Sequence, residues 1–337
     1  MSTTIRDVAK KANVSTATVS LVINNHKRIS PATRAKVLSA IKTLDYHPSR
    51  SARGLVSNRT GNIGFILRED HFSKSEPFYT KVFLGTEFEA REHEFYVLLT
   101  TVSPEFHKGE VLPRFVLERN VDGIIIAGKV PQELTGRLSE YKLPLVFADY
   151  YPPEGKYSMV LIDNIAGGTD ATTHLIQRNH RNIAFVGGDI EHPSILERLQ
   201  GYKIALEKAN IPVRNEWIIT DAVSTNTESG YLSAKYLFDR NPDVTAVFCC
   251  NDAMGIGVIK YLKEKGLRVP QDISVIGFDD VEMSAFIDPP LTTMRVPKEE
   301  VGVHAMRLIR QVIQTDAKPH KILVPVKLIE RESTRQL

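Results

Sequence analysis

Polar side chains of different chemistry stand beside strand-like apolar runs of the sequence. Asp149, Asn251 and Asp279 each follow or end such a run, and Arg198 comes a little after another. Carboxylate, amide and guanidinium groups can together hold vicinal hydroxyl groups in fixed directions. Asn251, Asp252 and Asp279 also precede helix-like segments, where such residues cap helix N-termini. For Asn251 and Asp279 the sequence allows either role, ligand binding or helix capping, whereas Asp252 is predicted to be a cap.

Catalytic chemistry finds little support in the sequence. Gly255-x-Gly257 approaches a dinucleotide-binding turn, but Lys260 stands where the third small residue belongs. Asp279 and Asp280 are adjacent, so their carboxylates do not face one substrate atom together. The sequence contains no P-loop, zinc-ligand spacing or nucleophile elbow. We therefore predict no enzyme activity, no cofactor and no bound metal.

The composition is that of a soluble globular protein. The chain has 337 residues, of which 42% are hydrophobic and 25% are charged, so two or three folding units are expected. No apolar stretch approaches the roughly 18 residues that cross a bilayer, and the opening residues do not form an export signal. The adjacent Cys249 and Cys250 do not suit a disulfide and are predicted to be reduced. A cytoplasmic protein without membrane contact is expected.

Positive charge is concentrated at the N-terminus. Residues 1–60 contain eleven Lys and Arg but only two acidic residues, Asp7 and Asp45, which gives a net charge of +9, whereas the other 277 residues carry −6. A basic segment this short cannot hold the main core of the protein. The asymmetry indicates a small module that binds a polyanion, attached to a larger neutral-to-acidic body.

The same basic segment contains the start signals of three helices. Thr4 and Asp7 have the spacing of a capping box for the first helix. After a turn of three residues, Ser15 can cap a second helix. Ser30 followed by Pro31 is a cap and first-turn proline that begin a third. Helix, short turn and helix is the helix-turn-helix arrangement, whose second helix fits the DNA major groove.

From about residue 62 onward, apolar runs of strand length alternate with segments of helical length. Continuous apolar runs suit strands that are covered on both faces, and helical crossovers make neighbouring strands parallel. The series divides near residue 162, where a strand ends and a new helix begins, so we predict an α/β body of two similar lobes. The predicted strands include Ile63–Leu67, Tyr96–Val102, Gly123–Ala127, Leu145–Ala148, Met159–Ile162, Ile183–Val186, Trp217–Thr220, Ala246–Cys250 and Ile273–Gly277.

A series of short motifs runs through the chain. The motifs are Ile5-Arg6-Asp7-Val8-Ala9, Val14-Ser15 with Thr18-Val19-Ser20, Asp45-Tyr46-His47-Pro48, Ala52-Arg53-Gly54-Leu55, Glu197–Tyr202, Asn251–Met254, Asp272–Asp280 and Pro289–Thr293. Through these motifs the chain resembles the LacI/GalR family of bacterial transcription regulators over essentially its whole length. The segments 121–129 and 150–153 look closer to members that control β-galactosidase genes.

The resemblance implies an α/β fold with a two-lobed core of parallel sheets, like that of periplasmic binding proteins. An all-α helix-turn-helix head and a hinge helix precede this core. Crossovers between the lobes are placed near Ile162–Asp163, Thr292–Thr293 and Leu323–Pro325. The implied domains are a head over 1–47, a hinge over 48–60, an effector-binding N-lobe over 61–162 and 293–323, and an effector-binding C-lobe over 163–292 and 324–337.

For the head, the resemblance implies contacts with a double-stranded, pseudopalindromic operator. The residues expected at base edges in the major groove are Thr16, Ala17, Ser20 and Leu21. Those expected at phosphates are Thr18, Asn24, Arg28 and Arg34, and those expected in the minor groove are Ala52, Arg53 and Leu55. Leu21 departs from the family pattern, because leucine can touch a thymine methyl group but cannot read guanine.

For the body, the resemblance implies a small-molecule effector in the cleft between the lobes. Phe78 and Tyr79 resemble an aromatic pair that faces this cleft, where a ring can stack on a sugar. The loop from Arg68 to Glu76 is longer than the usual pattern, so no contacts are transferred to it. The implied effector-binding residues are Phe78, Tyr79, Asp149, Arg198, Asn251 and Asp279.

The implied function is repression of carbohydrate-utilisation genes, relieved by a small sugar such as a galactoside. The alternative within the family is a corepressor, either a purine or a phosphoprotein. A stand-alone sugar-binding protein shares the two-lobed body, but it has no use for the basic head and needs an export signal. We therefore expect a cytoplasmic, nucleoid-associated homodimer or tetramer whose partners are operator DNA and a sugar.

Overall fold

The computed structural model describes residues 3–23, 26, 28–46, 59–71, 78–153, 155–315 and 318–337. Asn24 and the predicted minor-groove residues Ala52, Arg53 and Leu55 lie outside these ranges, as do most of the predicted hinge and of the loop after Arg68. Within the described ranges, no helix is both long and apolar enough to cross a lipid bilayer.

Three helices make up the described part of the head: α1 (Ile5–Ala12), α2 (Thr16–Ile23) and α3 (Pro31–Thr43). The predicted capping box is present at α1. The Asp7 carboxylate accepts a hydrogen bond from the Thr4 backbone N–H at 2.8 Å, and Thr4 Oγ1 accepts one from the Asp7 N–H at 3.4 Å. These bonds satisfy N–H groups that have no partner inside the helix, which fixes where α1 begins.

The head has a small core of its own. Val8, Val19 and Val37 are fully buried in it, and Tyr46 closes it with 8% of its surface exposed. Among the described residues, this cluster shares no member with the hydrophobic clusters of the lobes. The head therefore packs as a separate unit.

The sheet of the first lobe has six parallel strands in the order β11-β5-β4-β3-β1-β2. The strands are β1 (Asn62–Arg68), β2 (Tyr96–Val102), β3 (Gly123–Ala127), β4 (Leu145–Ala148), β5 (Ser158–Ile162) and β11 (Lys321–Val324). The helices of this lobe are α4 (Phe78–Glu92), α5 (Arg114–Leu117), α6 (Gln132–Glu140) and α11 (Lys298–Gln314). All five residues of β3 are buried, as its continuous apolar sequence predicts for a central parallel strand.

The sheet of the second lobe also has six strands, in the order β12-β10-β9-β8-β6-β7. All neighbours in it are parallel except β10 and β12, which are antiparallel. The strands are β6 (Ile183–Gly188), β7 (Ile218–Ala222), β8 (Ala246–Cys249), β9 (Ser274–Asp279), β10 (Thr292–Arg295) and β12 (Lys327–Ile329). Its helices are α7 (Asn164–Gln177), α8 (Pro193–Lys208), α9 (Thr227–Phe238) and α10 (Asp252–Glu264).

The chain passes between the lobes three times, and one predicted position is wrong. The second passage was expected at Thr292–Thr293, but these residues begin β10 and pair with Ile276 and Gly277 of β9. Thr293 also donates a hydrogen bond from its hydroxyl to Asp252 at 2.5 Å, which keeps it within the second lobe. The chain therefore crosses after β10, at residues 296–297, before α11 packs on the first lobe. The other passages lie between β5 and α7 and between β11 and β12.

Glycines let α7 and α8 approach closely. A Cβ atom on Gly201 would lie 2.4 Å from the Ile165 carbonyl oxygen, and one on Gly168 would lie 2.4 Å from the Arg198 carbonyl oxygen. Distances this short exclude a side chain at either position. The contact fixes the segment of α8 that carries Arg198.

Candidate functional site

A cavity of about 190 Å³ lies between the two lobes, where strands of both sheets end. Binding clefts of open α/β sheets occur at this edge, because the loops after the strands meet there. The cavity contains all six predicted effector-binding residues. Its lining comprises Asp70, His71, Phe78, Tyr79 and Asp149 of the first lobe, and His192, Ser194, Ile195, Arg198, Thr225, Cys250, Asn251 and Asp279 of the second.

Asp149 connects the two lobes. It follows β4 with a left-handed φ of 58° and is only 6% exposed. Its carboxylate accepts hydrogen bonds from Tyr79 Oη at 2.9 Å and from Ser194 Oγ at 3.1 Å. Burial raises the pKa of Asp149, and the nearby charge of Arg198 opposes this rise. Asp149 thus holds the aromatic wall of one lobe against the first turn of α8 in the other.

Arg198 is buried and held by the protein on several sides. Its Nε donates to Asn164 Oδ1 at 2.8 Å, and its Nη1 donates to the Cys250 carbonyl oxygen at 2.7 Å. The guanidinium carbon lies 3.7 Å from the centroid of the Phe278 ring, a cation–π contact. The guanidinium group is therefore already oriented when a ligand arrives.

Among the described residues, one oxygen of the buried Asp279 carboxylate, Oδ1, has no hydrogen-bond partner. This oxygen lies 3.3 Å from Arg198 Nη2, within ion-pair distance. The geometry of this contact is not that of a hydrogen bond, and among the described residues Oδ1 has no other partner. Burial raises the pKa of Asp279, while Arg198 lowers it. Because Oδ1 is itself buried, its charge is compensated inside the protein by Arg198.

At Asn251 the capping interpretation holds, and at Asp252 the prediction is wrong. Asn251 Oδ1 accepts from the Met254 N–H at 2.9 Å, which caps α10, while its Nδ2 donates to the Thr225 carbonyl oxygen at 2.8 Å. Asp252 lies one residue inside the helix and is fully buried, where its carboxylate accepts from Thr293 and from the Val281 N–H. The cap falls at Asn251 because the backbone there is still extended, with a φ of −148°.

Aromatic rings form the wall of the cavity on the first-lobe side. Phe78 and Tyr79 contact each other edge to face with centroids 4.9 Å apart, and His71 stacks on Tyr79 at 4.8 Å with an angle of 19°. The second lobe contributes mostly polar side chains to the lining, among them Ser194 and Thr225, together with the imidazole of His192 and the apolar Ile195. The cavity thus offers aromatic rings from the first lobe and mainly hydrogen-bonding groups from the second.

Seven residues of the lining were not predicted as effector-binding: Asp70, His71, His192, Ser194, Ile195, Thr225 and Cys250. Each follows a strand, either in the loop after it, as Asp149 does, or, for Ser194 and Ile195, in the first turn of the next helix, α8. That position was a usable signal in the sequence. Which residue of a loop reaches inward depends on backbone angles that the sequence pattern does not give.

Ion pairs and a hydrogen bond join the lobes outside the cavity. Lys129, after β3, lies 3.8 Å from Asp189 and 3.5 Å from Glu191, both after β6. Tyr151 of the first lobe donates a hydrogen bond to Glu197 of α8 at 3.3 Å. The lobes are therefore held together at the mouth of the cleft as well as inside it.

In the head, α2 presents most of the predicted base-reading residues to solvent. Thr16 and Ala17 are exposed at its start, Leu21 is 38% exposed one turn later, and Ser20 is half-buried. Thr18, predicted to contact phosphate, is half-buried and lies 2.9 Å from Ser15 through their hydroxyl oxygens.

The two described arginines of the predicted phosphate set flank the start of α3. Arg28 is exposed, and Arg34 donates from Nη2 to the His26 carbonyl oxygen at 2.8 Å. The other members of the predicted DNA set, Asn24, Ala52, Arg53 and Leu55, lie outside the described residues. The described part of the head thus offers a short-side-chain helix face with basic groups beside it.

The sequence matches two known protein-family patterns. The pattern described as "Bacterial regulatory proteins, lacI family" matches residues 4–49, and that described as "Periplasmic binding protein-like domain" matches residues 172–334. The first match covers the three helices of the head, and the second covers most of the second lobe and the end of the chain.

Relatives extend the similarity to the whole chain. The chain is 37% identical over 334 residues to the HTH-type transcriptional repressor PurR of Yersinia pestis, which covers 98% of this chain and 96% of that protein. Among solved structures, the complex of the transcriptional regulator CelR with cellobiose has 33% identity and a TM-score of 0.74, over 98% of this chain and 99% of that one. The lac repressor dimer bound to operator and the anti-inducer ONPF has 26% identity and a TM-score of 0.81, over 99% and 100%.

Proposed function

The chain belongs to the lacI family of bacterial regulatory proteins and is a DNA-binding transcriptional repressor, and we propose that a small sugar bound in the cleft controls its repression. The site residues of this proposal are the six effector-binding residues and the DNA-contacting residues of the head given above. The genes it represses would then be those for use of that sugar. In the cell it would act in the cytoplasm, as a homodimer on a pseudopalindromic operator.

The observation that carries the sugar proposal is the pairing of one ring wall with buried carboxylates. Tyr79 and Phe78 offer ring surfaces, while Asp149 and Asp279 offer acceptors close to the Arg198 guanidinium. A sugar has an apolar ring face and several hydroxyl groups that both donate and accept, so it fits both walls. At about 190 Å³, the cavity is smaller than the roughly 300–1,000 Å³ of drug-sized ligands, so it suits a monosaccharide-sized group.

A purine corepressor is the second candidate, because a relative 37% identical to this chain is a PurR repressor. A planar base is held best between two apolar or aromatic faces. Among the described lining residues, the rings of Phe78 and Tyr79 both lie on the first lobe, whereas the second lobe contributes His192 and Ile195 beside the polar Ser194, Thr225 and Asn251. The predominance of hydrogen-bonding side chains on the second lobe favours the sugar. CelR in complex with cellobiose supports the same choice.

The proposed control is a shift between two arrangements of the lobes. A ligand that contacts Asp149 and Asp279 interacts with both lobes at once and so favours the arrangement in which both contacts form. If that arrangement separates the heads of a dimer from their half-sites, ligand binding weakens operator binding, and operator binding weakens ligand binding. Coupling of about 1–3 kcal/mol would change operator affinity about 5–150-fold.

Thermal unfolding in the presence of candidate effectors tests the proposal. D-galactose, D-glucose, lactose and cellobiose form one panel, and hypoxanthine and guanine form the other. We expect at least one sugar to raise the Tm, since a ligand that binds only the folded state stabilises it. Duplexes selected from a random library then serve in an operator titration, where the same sugar should weaken binding.

Substitutions in the cleft test whether an observed Tm shift comes from ligand binding at this site. Arg198→Ala and Asp279→Ala should lose the Tm shift, whereas Asp288→Ala, whose side chain is 93% exposed and ion-paired with Lys263, should keep it. A shift by a purine and by no sugar would replace the first candidate with the second. A sugar shift that survives both cleft substitutions would contradict the site assignment.

A further inference from the structure

Asp122 lies directly before β3, at the edge of the first-lobe sheet that is opposite the cavity. β1 and β3 are parallel neighbours, with Ile63 paired to Gly123, so both strands begin at this edge. β1 has seven residues and runs for about 20 Å before Asp70 and His71 follow it into the lining of the cavity. One mostly buried strand thus connects the edge at Asp122 with the effector site.

The Asp122 carboxylate binds the chain where it enters the first lobe. Its Oδ1 accepts hydrogen bonds from the Thr60 backbone N–H at 2.6 Å and from the Thr60 hydroxyl at 2.9 Å, and its Oδ2 accepts one from the Gly61 N–H at 2.9 Å. Hydrogen bonds to an ionised carboxylate are stronger than those between neutral groups. Because two successive backbone N–H groups point at one carboxylate, the direction of the chain is fixed here.

Further bonds hold the same segment from a second side. Asn62 Nδ2 donates to the backbone and the side-chain oxygen of Asn120, each at 3.0 Å. The Gly61 carbonyl oxygen accepts from the N–H of Tyr96, the first residue of β2, at 3.0 Å. Gly61 has a left-handed φ of 71°, which glycine adopts without strain. Residues 60–62 are therefore bonded both to β2 and to the loop before β3.

Thr60 is also the last residue of the predicted hinge, which joins the head to the first lobe. The head has a core of its own, which shares no described residue with the clusters of the lobes. The direction in which the chain leaves the lobe therefore limits where the head can lie. A loose attachment would let the head keep its position on DNA while the lobe moves, so an effector would lose its influence on DNA binding.

We propose that Asp122 is a positioning residue for DNA binding: it holds Thr60 and Gly61, so that the connection to the head moves as one body with the first lobe. This role rests on the proposed function, in which the two heads of a dimer bind two half-sites and an effector moves the lobes. A fixed connection raises the effective concentration of the second head at its half-site once the first is bound. It also passes a movement of the lobe on to the head.

Asp122→Asn in the full chain tests this role, because asparagine keeps the shape of the side chain but brings an NH2 group where a carboxylate oxygen accepts. Without any effector, affinity for the selected duplex should fall about tenfold, since an ordered connection is lost. The factor by which an effector changes this affinity should shrink toward one. The probe is whichever of D-galactose, D-glucose, lactose, cellobiose, hypoxanthine and guanine changes duplex binding by the wild type most. Its affinity in the absence of DNA should stay unchanged.

Thr60→Val is a second variant that tests the same contact from the other side. It removes the hydroxyl that donates to Asp122 and keeps the size of the side chain and the backbone N–H. Both effects should appear again, with a smaller loss of duplex affinity than in Asp122→Asn. Thr60→Ser retains the hydroxyl and should bind the duplex and respond to the probe as the wild type does.

Asp272→Asn is the matched control in the second lobe. Asp272 comes shortly before β9, and its carboxylate also accepts three hydrogen bonds, from the backbone N–H, Nε and Nη2 of Arg268 at 2.7, 3.0 and 3.0 Å. This variant loses a comparable set of bonds, so its Tm should fall as that of Asp122→Asn does. Its duplex affinity and its response to the probe should stay as in the wild type.

Two results would overturn the role of Asp122 and leave the proposed function standing. In one, Asp122→Asn binds the duplex and responds to the probe as the wild type does. In the other, Asp272→Asn is impaired to the same degree. If only a purine or no probe changes duplex binding by the wild type, the sugar proposal fails instead, and duplex affinity without effector still decides the role of Asp122.

Discussion

At the scale of single residues, the cleft concentrates acidic groups whose ionisation is coupled to folding. Asp252 lies just behind the cavity, is fully buried, and has its pKa raised to about 8, first by burial and next by the charge of Asp279. Its hydrogen bonds with Thr293 and the Val281 N–H and the charge of Lys298 oppose this rise. A group of this kind is protonated in the folded protein and ionised in the unfolded chain over a wide pH range.

We predict that the free energy of unfolding falls between pH 7.5 and 8.5. Over this range folded Asp252, with a pKa of about 8, still binds part of a proton that the unfolded chain, with a pKa of 3.8, has released, so the slope is negative and reaches about 1 kcal/mol per pH unit. His71, His174 and His192 have folded pKa values of about 4 and unfolded values of 6.5, so they oppose this trend until the unfolded chain has lost its histidine protons, about one pH unit above 6.5. Denaturant unfolding at several pH values measures the slope.

Asp252→Asn should flatten the decline above pH 7.5, because asparagine does not ionise. The control is Asp288→Asn, whose side chain is 93% exposed and which should keep the wild-type slope. A decline of equal steepness in Asp252→Asn would mean that another group titrates.

At the scale of elements, the position of Arg198 depends on the packing of α7 against α8. Gly201→Ala would place a Cβ atom 2.4 Å from the Ile165 carbonyl oxygen, so the helices must separate. We predict a loss of about 1–3 kcal/mol in the free energy of unfolding. Sugar affinity should fall as well, because α8 carries Arg198 and Ser194 to the cleft. Urea unfolding and sugar titration measure the two effects.

Gly136→Ala is the matched control for this prediction. Gly136 lies in α6, where a Cβ atom would have no neighbour within 4 Å. Alanine is a better helix former than glycine, so this variant should gain up to about 1 kcal/mol and leave sugar affinity unchanged. Equal stability of the Gly201→Ala and wild-type proteins would show that α7 and α8 tolerate separation.

At the scale of the whole molecule, DNA binding and ligand binding belong to units with separate cores. The head cluster around Val19 and Val37 shares no described residue with the clusters of the lobes. We predict that a variant lacking residues 1–58 binds the sugar with wild-type affinity and loses at least about 100-fold in affinity for the selected duplex, because a segment with a net charge of +8 is gone. Calorimetry and fluorescence anisotropy measure the two affinities.

The full-length protein in the same buffer is the reference, since DNA affinity depends steeply on salt. Duplex binding by the shortened variant at undiminished affinity would place the DNA site in the lobes. Loss of sugar binding along with DNA binding would contradict the independence of the two units.

Much of this architecture follows from local signals in the sequence. Three such signals are the capping box at Thr4 and Asp7, the apolar runs of the strands and the charge asymmetry. Each can be read from the sequence without knowledge of the fold, because it does not depend on contacts between distant segments. Asp149, Asn251 and Asp279 lie at strand ends, and Phe78, Tyr79 and Arg198 lie in the first two turns of helices that follow strands, so the parallel arrangement brings all six to the same edge of the sheets.

Only the tertiary structure decided how neighbouring polar residues divide their roles. Asn251 and Asp252 are adjacent and both suit a cap, yet the extended backbone at Asn251 makes it the cap and turns Asp252 into the core. Thr292 and Thr293 were predicted to lie in a crossover between the lobes, but the pairing of β10 with β9 places them in the sheet of the second lobe. His71 follows a strand, which the sequence does indicate, but its stacking on Tyr79 is set by how β1 and α4 pack together. Periodicity and capping are properties of short segments, whereas burial and hydrogen-bond partnership are set by contacts that form only when the whole chain has folded.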